Sequence, residues 1–371
     1  MSTLPTRLLT FAPFTAFLAL TACQSARPDS AAPPPPSPAL AAADTASPLA
    51  EKAAPRGTEN AAPTRIVISG VGDCTLSSEF HSGEAPGSFP DELKAHGGDM
   101  TWFFSGVAGV LARDDLTIAN LETTLTNTPH PFGDGEHHFR GKPEYTAMLK
   151  AGSVEVVNVA NNHSHDFGES GYAETAEVVK AAGIGVAGNA HVDRRMVKGV
   201  EVVNLGFTGG DPVILPRVRK KVAELKTDKN LVVVSFHWGA EGLNDANEVQ
   251  RRLGHAAVEA GADLVLGTHP HVLQGIEEYK GRHIVYSLGN FVFGGNSNPK
   301  DKDSIIYQEA FEERDGHMVP SGNEIIPVRI SSVTTRNDYR PVLLEGDEKD
   351  RVLARVQKYS DALGPKRVAK R

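Results

Sequence analysis

The sequence predicts an α/β fold, and three observations support this prediction. Short apolar runs rich in Val, Ile and Leu recur along the chain and have the length of buried strands. Stretches of helical periodicity separate several of these runs, which is typical of β and α units alternating around a buried sheet. Polar clusters follow the strands almost every time, and ligands of α/β sheets bind beyond the carboxyl ends of the strands. One large domain is therefore expected to bring these clusters together.

The predicted elements follow from the apolar runs and their punctuation. The candidate strands are 65–70, 116–120, 154–159, 200–207, 231–236, 263–267 and 283–287. Helices are predicted at 102–113, 172–182 and 248–260, and Gly183 and Gly261 suit the ends of the last two. Segments 304–311 and 324–330 are predicted as antiparallel strands of a second sheet, and 349–363 as an exposed amphipathic helix.

The N-terminus has the pattern of an export signal. Arg7 supplies a positive charge, and the apolar stretch 8–20 is shorter than the ~20 residues that a membrane-spanning helix needs. Small residues precede Cys23, as in a bacterial lipobox. Residues 1–22 are therefore predicted to be a lipoprotein signal peptide, with Cys23 as the lipidated residue. This predicts a lipid-anchored membrane protein of the cell envelope, with its domain outside the cytoplasm.

Composition divides the rest of the chain. Residues 23–64 are rich in Ala, Pro and Ser and are expected to form a semi-extended tether. The folded domain is predicted at 65–335, followed by a charged C-terminal segment, 336–371, that contains the helix. If Cys23 carries lipid, Cys74 has no partner, which excludes a disulfide scaffold. The formal net charge of −8 argues against a nucleic-acid partner.

Six motifs at strand ends supply oxygen and imidazole groups. They are Gly72-Asp73, Asn120-Leu121-Glu122, Ala160-Asn161-Asn162-His163, His237-Trp238-Gly239, His269-Pro270-His271 and Ser287-Leu288-Gly289-Asn290-Phe291. Carboxylate, amide and imidazole groups without thiolate suit Mn, Fe or Zn in a catalytic or substrate-orienting role. We therefore predict a site for one or two divalent metal ions. The common sequence motifs of serine hydrolases, zincins and P-loop ATPases do not occur in the chain.

In this order, the six motifs resemble those of the CapA family, which is named for capsule and poly-γ-glutamate synthesis. The resemblance covers residues 65–330, and six ordered motifs are far more specific than one. It implies a calcineurin-like metallophosphatase fold, a four-layer αββα sandwich in which two packed sheets are flanked by helices. The metal ligands that it implies are Asp73, Glu122, Asn162, His237, His269 and His271.

The same resemblance suggests which residues act on the substrate. His163 is expected to face the leaving group as a general acid or electrostatic group. Arg140 could hold a carboxylate or phosphate of the substrate by a bidentate contact. Asn290 is expected either to touch substrate or to brace a turn.

Two departures from the phosphoesterase pattern bear on the metal count. Those enzymes usually open with Asp-x-His, whereas Asp73 is followed by Cys74 and Thr75, so one ligand is missing. Glu122 also stands where an aspartate is usual. A single metal or a different reaction therefore remains open.

Several other residues are expected to play supporting parts. Hydrogen bonds to metal ligands or loop stabilisation are predicted for His165, Asp166 and Glu241. An exposed loop is expected to hold His130, His137 and His138. Burial in the core is predicted for Cys74 and Trp238.

Two functions fit this pattern. The first is a metal-dependent hydrolase or transferase that acts on a phosphoester or amide bond of an anionic polymer or peptide in capsule or poly-γ-glutamate biogenesis. The second is a non-catalytic accessory that binds the polymer within a capsule-synthesis membrane complex for export or anchoring. Clustered ligands favour the first function, and the missing Asp-x-His favours the second.

Overall fold

The computed structural model describes residues 63–83 and 85–364, which belong to one compact unit. The predicted signal peptide, Cys23 and all but the last two residues of the tether 23–64 lie outside this range, so these stay predictions. The domain boundaries at 65 and 335 also stay predictions. Within the described part of the chain, no helix is long and apolar enough to cross a membrane.

Strands dominate the described residues. In chain order they are Arg65–Thr75 (β1), Leu116–Leu121 (β2), Thr124–Leu125 (β3), Arg140–Gly141 (β4), Val156–Asn158 (β5), Gly185–Ala187 (β6), Asp193–Val197 (β7), Val200–Gly209 (β8), Asn230–Trp238 (β9), Leu264–Thr268 (β10), Ile276–Tyr279 (β11), Arg282–Val285 (β12), Asn290–Phe293 (β13), Asp303–Arg314 (β14), His317–Arg329 (β15) and Val342–Leu343 (β16). Each of the seven predicted strands of the α/β core is present.

Helices connect many of these strands. The α-helices are Phe89–Ala95 (α1), Ala108–Leu111 (α2), Thr146–Ala151 (α3), Gly168–Ala181 (α4), Leu215–Leu225 (α5), Glu248–Glu259 (α6) and Gly346–Ala362 (α7). Short 3₁₀ turns occur at Phe80–Ser82, Trp102–Phe104, Pro143–Tyr145 and Pro212–Ile214.

The strands form two large mixed sheets. The first has the order β16-β15-β14-β1-β2-β5-β6, with β13 also paired to β1, and the second has the order β11-β12-β10-β9-β8-β7. The prediction that 304–311 and 324–330 belong to a second sheet is therefore wrong. They form β14 and β15 and extend the first sheet, because β14 pairs antiparallel with the edge of β1 that β2 leaves open.

Three apolar clusters show that the architecture has four layers. The inner cluster lies between the sheets, with Ile68 and Leu116 from the first and Val233 and Leu264 from the second. A second cluster joins the other face of the first sheet to its helices, and a third joins the second sheet to α5 and α6. The order helix, sheet, sheet, helix confirms the predicted αββα sandwich. Strands covered on both faces are apolar throughout, and all nine residues of β9 are buried.

Local signals explain which predicted helices formed. Helix α6 begins with a capping box, in which Asn247 and Gln250 exchange hydrogen bonds, and it ends before Gly261, whose φ is 113°. The single helix predicted at 102–113 is wrong, because a 3₁₀ turn and the short α2 replace it. Gly106 interrupts the segment where its backbone packs against Pro341. A Cβ at this position would lie 2.2 Å from the carbonyl oxygen of Pro341.

The C-terminal helix α7 closes the inner core. Its apolar face buries Val352 and Val356 in the cluster between the sheets, while most of its other side chains contact solvent. The helix contacts β15 of the first sheet and β11 of the second. The predicted amphipathic helix is confirmed, and its buried face contributes to the sandwich.

Candidate metal centre

The carboxyl ends of parallel strands from both sheets meet at one edge of the sandwich, and the predicted ligands follow those ends. Asp73 lies near the end of β1 and Glu122 comes directly after β2. His237 is the penultimate residue of the second sheet's β9, and His269 and His271 follow β10. This is the position at which α/β sheets bind ligands.

Close backbone packing fixes Asp73 at this edge. Its amide donates a hydrogen bond to the carbonyl of Gly289, at 3.0 Å, just before β13. The preceding residue must be glycine, because a Cβ on Gly72 would lie 1.9 Å from the same carbonyl oxygen. The Gly-Asp pair of the first motif therefore combines a close strand contact with a buried carboxylate.

Two groups of side chains bring potential ligand atoms within 4.8 Å of one another, and Glu122 belongs to both. The first group is Asp73, Glu122 and His237, all buried, and the second is Glu122, His269 and His271. The Oδ1 atom of Asn162 lies 2.6 Å from Nε2 of His237, which places the sixth predicted ligand beside the first group. The structure thus brings all six predicted ligands together.

The His-Pro-His loop holds its two imidazoles in a strained backbone. His269 has φ of 95° and His271 has φ of 57°, a region that non-glycine residues rarely adopt. Such conformations cost about 1–3 kcal/mol each and persist where surrounding structure enforces them, often at functional sites. Here the enforcing contacts include the His269 amide, which donates to Asp73 Oδ2 at 3.3 Å.

Several buried ligand atoms in the described residues lack hydrogen-bond partners. They are both carboxylate oxygens of Glu122 and Nδ1 of His269. Glu122 is 1% exposed, and leaving buried polar atoms without partners costs free energy unless another group satisfies them. Carboxylate, imidazole and amide donors are ligands of Mn, Fe and Zn, so the residues present fit a divalent metal.

The electrostatics of the cluster also favour a cation. Burial alone would lower the pKa of His271, but the charges of Glu122 and Asp73 raise it to about 10. Burial alone would raise the pKa of Glu122, but His271 and His237 lower it to about 2. Burial and the neighbouring His237 lower the pKa of His269, which keeps its lone pair available. The two buried carboxylates therefore favour positive charge next to them, which a bound divalent metal ion would supply.

His163 lies next to this cluster and has a carboxylate partner of its own. Its Nδ1 lies 3.0 Å from Oδ2 of Asp166, and that carboxylate also accepts a 2.6 Å hydrogen bond from the amide of Phe139. Burial alone would lower the pKa of His163, but the hydrogen bond to Asp166 and the charge of Glu122 raise it. A raised pKa favours the protonated imidazole that a general acid requires. Asp166 was expected to hydrogen-bond a metal ligand or to stabilise a loop; its contact with the Phe139 amide agrees with the second role, and its imidazole partner His163 is not one of the six predicted ligands.

A cavity of about 810 Å³ opens over the cluster. Its lining includes Glu122, His163, His271, Glu241 and Lys300. The side chain of His163 is 15% exposed, so it is largely enclosed and still reaches this space. A ligand in the cavity would contact both the metal cluster and the His163 imidazole.

A sequence model described as "Bacterial capsule synthesis protein PGA_cap" matches residues 67–295. The chain belongs to this family. It is 30% identical over 288 residues to the PGA biosynthesis protein CapA of Bacillus subtilis, covering 71% of this chain and 73% of that protein. A probable polyglutamine synthesis accessory protein of Mycobacterium tuberculosis is 25% identical over 278 residues, or 63% of this chain and 71% of that protein.

Among solved structures, the calcineurin-like phosphoesterase YfkN from Bacillus subtilis aligns with 81% of this chain and 98% of its own, at a TM-score of 0.46 and 12% identity. The part matched by the PGA_cap family includes the whole cluster, from Asp73 to His271, and extends past Asn290.

Of the two residues predicted to bind substrate, the structure places Arg140 away from the cavity over the cluster and Asn290 in its lining. Arg140 does not line the cavity over the cluster. Its guanidinium donates to the carbonyl of Thr128 at 2.8 Å and lies over Phe80, 4.5 Å from the ring centroid. The reason is side-chain alternation, because Phe139 points into the cavity and the next side chain points to the other side.

Asn290 holds the predicted metal ligand His271 in place. Its Oδ1 lies 2.9 Å from Nδ1 of His271, and its Nδ2 donates to the backbone carbonyl of the same histidine at 3.2 Å. Of the two roles expected for Asn290, the structure therefore supports bracing, although the residue also lines the cavity. Because Nδ1 of His271 is engaged, Nε2 remains to face Glu122, 3.8 Å away.

Sequence reasoning missed Asn120, which links the ligands of the two sheets. Its Nδ2 donates to Asp73 Oδ1 at 2.8 Å and lies 3.2 Å from Nδ1 of His237, while its Oδ1 accepts from Asn158 and Asn161 at 2.9 and 3.3 Å. The residue is 2% exposed. The sequence did carry a signal for it. Asn120 is an amide at the end of a strand, in the Asn120-Leu121-Glu122 motif, of which only Glu122 was given a role.

Some of the remaining predicted residues lie where the sequence placed them, and others do not. Cys74 and Trp238 are buried in the core as expected, and burial raises the pKa of the Cys74 thiol to about 12, which opposes metal ligation. His165 stacks on Tyr172 instead of contacting a ligand. The exposed position expected for His138 is wrong, because the side chain is 4% exposed and its Nε2 lies 3.2 Å from the carbonyl of Phe132.

Proposed function

We propose that this chain is a metal-dependent hydrolase or transferase of capsule or poly-γ-glutamate biogenesis, which acts on an anionic polymer or peptide in the cell envelope. Family membership supports the biological setting, and the name of the Bacillus subtilis relative refers to PGA biosynthesis. The observation that carries the enzymatic part is the His163–Asp166 pair, which lies against the same cavity as the ligand cluster.

The proposed metal would be held by the two overlapping groups around Glu122, with Asn162 beside them. A divalent ion bound there supplies Lewis-acid polarisation of a phosphoryl or carbonyl oxygen. The strained loop of His269 and His271, together with Asn120 and Asn290, orients the ligands before the ion arrives. This preorganisation is the contribution of the protein to the affinity of the site.

The proton chemistry is assigned to His163. Asp166 accepts the hydrogen bond from Nδ1, so Nε2 is the ring nitrogen left to donate a proton to a leaving oxygen or nitrogen in the cavity. The same carboxylate stabilises the imidazolium form before the transfer. Lys300 in the cavity wall adds positive charge that suits an anionic substrate.

Anchoring by lipidated Cys23 is the second part of the proposal. It rests on the short apolar stretch and the Leu20-Thr21-Ala22-Cys23 sequence. The tether 23–64 would then connect the membrane surface to the domain that carries the cluster. Incorporation of labelled palmitate into the expressed chain, and its loss in Cys23→Ser, would test the anchor.

The central experiment compares wild type with His163→Gln, using the full chain purified in detergent. Metal content is measured by mass spectrometry, and hydrolysis is measured on a phosphodiester and on a γ-glutamyl amide. We expect metal content to be unchanged and turnover to fall by about 10²–10⁴-fold, which is typical of losing a general acid. His165→Gln is the matched control, because this neighbouring histidine stacks on Tyr172.

A non-catalytic accessory is the second candidate function. The observation that favours it is Thr75, which stands where phosphoesterases have the histidine of Asp-x-His and is fully buried in β1. The Mycobacterium tuberculosis relative is named as an accessory protein. If His163→Gln leaves capsule formation in cells unchanged while His269→Ala with His271→Ala abolishes it, the accessory function replaces the enzyme.

A further inference from the structure

The cavity over the ligand cluster continues into two others. The next cavity, of about 560 Å³, shares His137, Gly295 and Asn296 with it. A third cavity, of about 620 Å³, shares Ser78 and Glu79 with the second. Shared lining residues place the three cavities side by side, and this row of cavities, here called the groove, starts at Glu122 and His163.

The segment 137–142 follows this groove. His137 lines the first two cavities, Phe139 lines the one over the cluster, and Arg140 and Lys142 line the far one. A hydrogen bond from the amide of Phe80 to the carbonyl of His138, at 2.7 Å, holds the segment against the 3₁₀ turn Phe80–Ser82. At about 3.3 Å per residue, the segment spans roughly 17 Å. Because Phe139 and Arg140 face opposite sides of the segment, a substrate that occupies both of their cavities must extend past the second cavity.

The far end of the groove is basic. Lys94, Arg140 and Lys142 line it, and Glu79 is the acidic residue among the described residues of its lining. Among the described residues, 63–83 and 85–364, the ion pairs include none of these three cations. The chain as a whole has a net charge of −8, so the positive charge around this cavity is opposite in sign to that of the chain.

Arg140 is preorganised within this basic end. One terminal nitrogen donates to Thr128, and the guanidinium lies over Phe80 and 5.4 Å from the ring centroid of Phe167. Of these contacts, only the one to Thr128 uses a donor, whereas a guanidinium has five donor hydrogens. The fixed cation therefore retains donors for an anion in the cavity, and Lys94 and Lys142 add mobile ammonium groups.

We propose that Lys94, Arg140 and Lys142 form a distal anion-binding subsite, which holds a carboxylate of an extended polyanion whose reacting bond lies at the ligand cluster. This inference rests on the proposed function, because the subsite specifies the length and charge of the substrate on which the proposed enzyme acts. The protein therefore distinguishes a long anionic chain from a short one. Anions near the cluster contact Lys300, and anions farther along the same chain contact the basic end.

The test measures binding of fluorescent γ-linked glutamate oligomers to the full chain in detergent with Mn²⁺. The probes are a dimer and an oligomer of about ten residues, which is long enough to reach both ends of a ~17 Å groove. The variant is Lys94→Gln with Lys142→Gln, and the matched control is Lys220→Gln with Lys229→Gln. The control makes the same charge change at lysines that line none of the three cavities.

In the Lys94/Lys142 variant, we expect the affinity for the long oligomer to fall about tenfold and the affinity for the dimer to stay unchanged. The wild-type preference for the long oligomer should weaken with added salt, and the control should behave as wild type. The subsite is refuted if the variant keeps the preference for the long oligomer, or if wild type has none.

Turnover measured on the same samples separates this inference from the proposed function. If the long oligomer binds through the lysines but neither probe is cleaved or transferred, the subsite stands and the enzymatic function fails. If wild type turns over the dimer while the lysine variant binds both probes as wild type does, the function stands and the subsite fails. If neither oligomer binds, both fail.

Discussion

Replacing Glu122 by glutamine is expected to abolish the thermal stabilisation that a divalent metal gives this protein. Glu122 is the residue shared by both ligand groups, and both of its oxygens are buried without hydrogen-bond donors among the described residues. Glutamine keeps the volume of the side chain but removes its charge and puts an amide nitrogen where a ligand oxygen was. Both parts of the metal site lose a ligand through one substitution.

The magnitude follows from ligand linkage. At a free metal concentration of about 100 times Kd, binding stabilises the folded state by about 2.7 kcal/mol. A domain of this size gains about 2 °C in Tm per kcal/mol, so wild type should gain about 5 °C. If the substitution raises Kd about 1,000-fold, the same metal concentration contributes less than ~0.1 kcal/mol, and the shift disappears.

The assay is differential scanning fluorimetry of the chelator-treated full chain with Mn²⁺, Fe²⁺ or Zn²⁺ added. Glu241→Gln is the control, because Glu241 lines the same cavity but belongs to neither ligand group. It should retain most of the ~5 °C shift that metal binding gives wild type. A full shift in Glu122→Gln would refute the shared-ligand assignment, and no shift in wild type with any of the three metals would refute the metal centre.

Three further predictions use other contacts. Asn290→Ala should weaken metal affinity about 10–100-fold in a chelator competition, because His271 loses its brace; an unchanged affinity would contradict this. Asn120→Ala should lower the free energy of unfolding of the metal-free protein by about 1–3 kcal/mol in urea, because a buried carboxylate loses its donor, and a neutral result would contradict that role. Burial alone would lower the pKa of His283, but Glu309 raises it, so their pair stabilises the fold below about pH 6.5 and loses this effect as pH rises through the raised pKa. Glu309→Gln should therefore cost about 1–3 kcal/mol at pH ~6 and less at pH ~9, and an equal cost at both would contradict the pair.

Family membership, and the residues that come together in the cluster, could be predicted from the sequence. The chemistry of a ligand is carried by the residue itself, and Asp73, Glu122 and the two histidines of the His-Pro-His motif follow recognisable apolar strands. Parallel strands place their carboxyl ends at one edge, so polar residues after such strands converge whatever the length of chain between them. Asp73 and His271 lie 3.2 Å apart although nearly 200 residues separate them in sequence.

The pairing of the later strands could not be predicted in the same way. Segments 304–311 and 324–330 read correctly as antiparallel strands, but the choice of sheet depends on which distant edge is open. That edge belongs to β1, more than 200 residues earlier in the chain. Local sequence carries the preference for an extended conformation and not the identity of the partner strand.

The sequence by itself determined that this protein has an α/β sandwich of the capsule synthesis family with a carboxylate and imidazole cluster at its strand ends. Only the tertiary structure decided that Glu122 belongs to both ligand groups, that Asn290 braces His271, and that Arg140 lines a different cavity from the one over the cluster. Side-chain direction along an extended segment alternates from one residue to the next. The role of each side chain therefore depends on the register of the segment, which non-local packing sets. Composition and spacing fix the chemical groups, and packing fixes which of them meet.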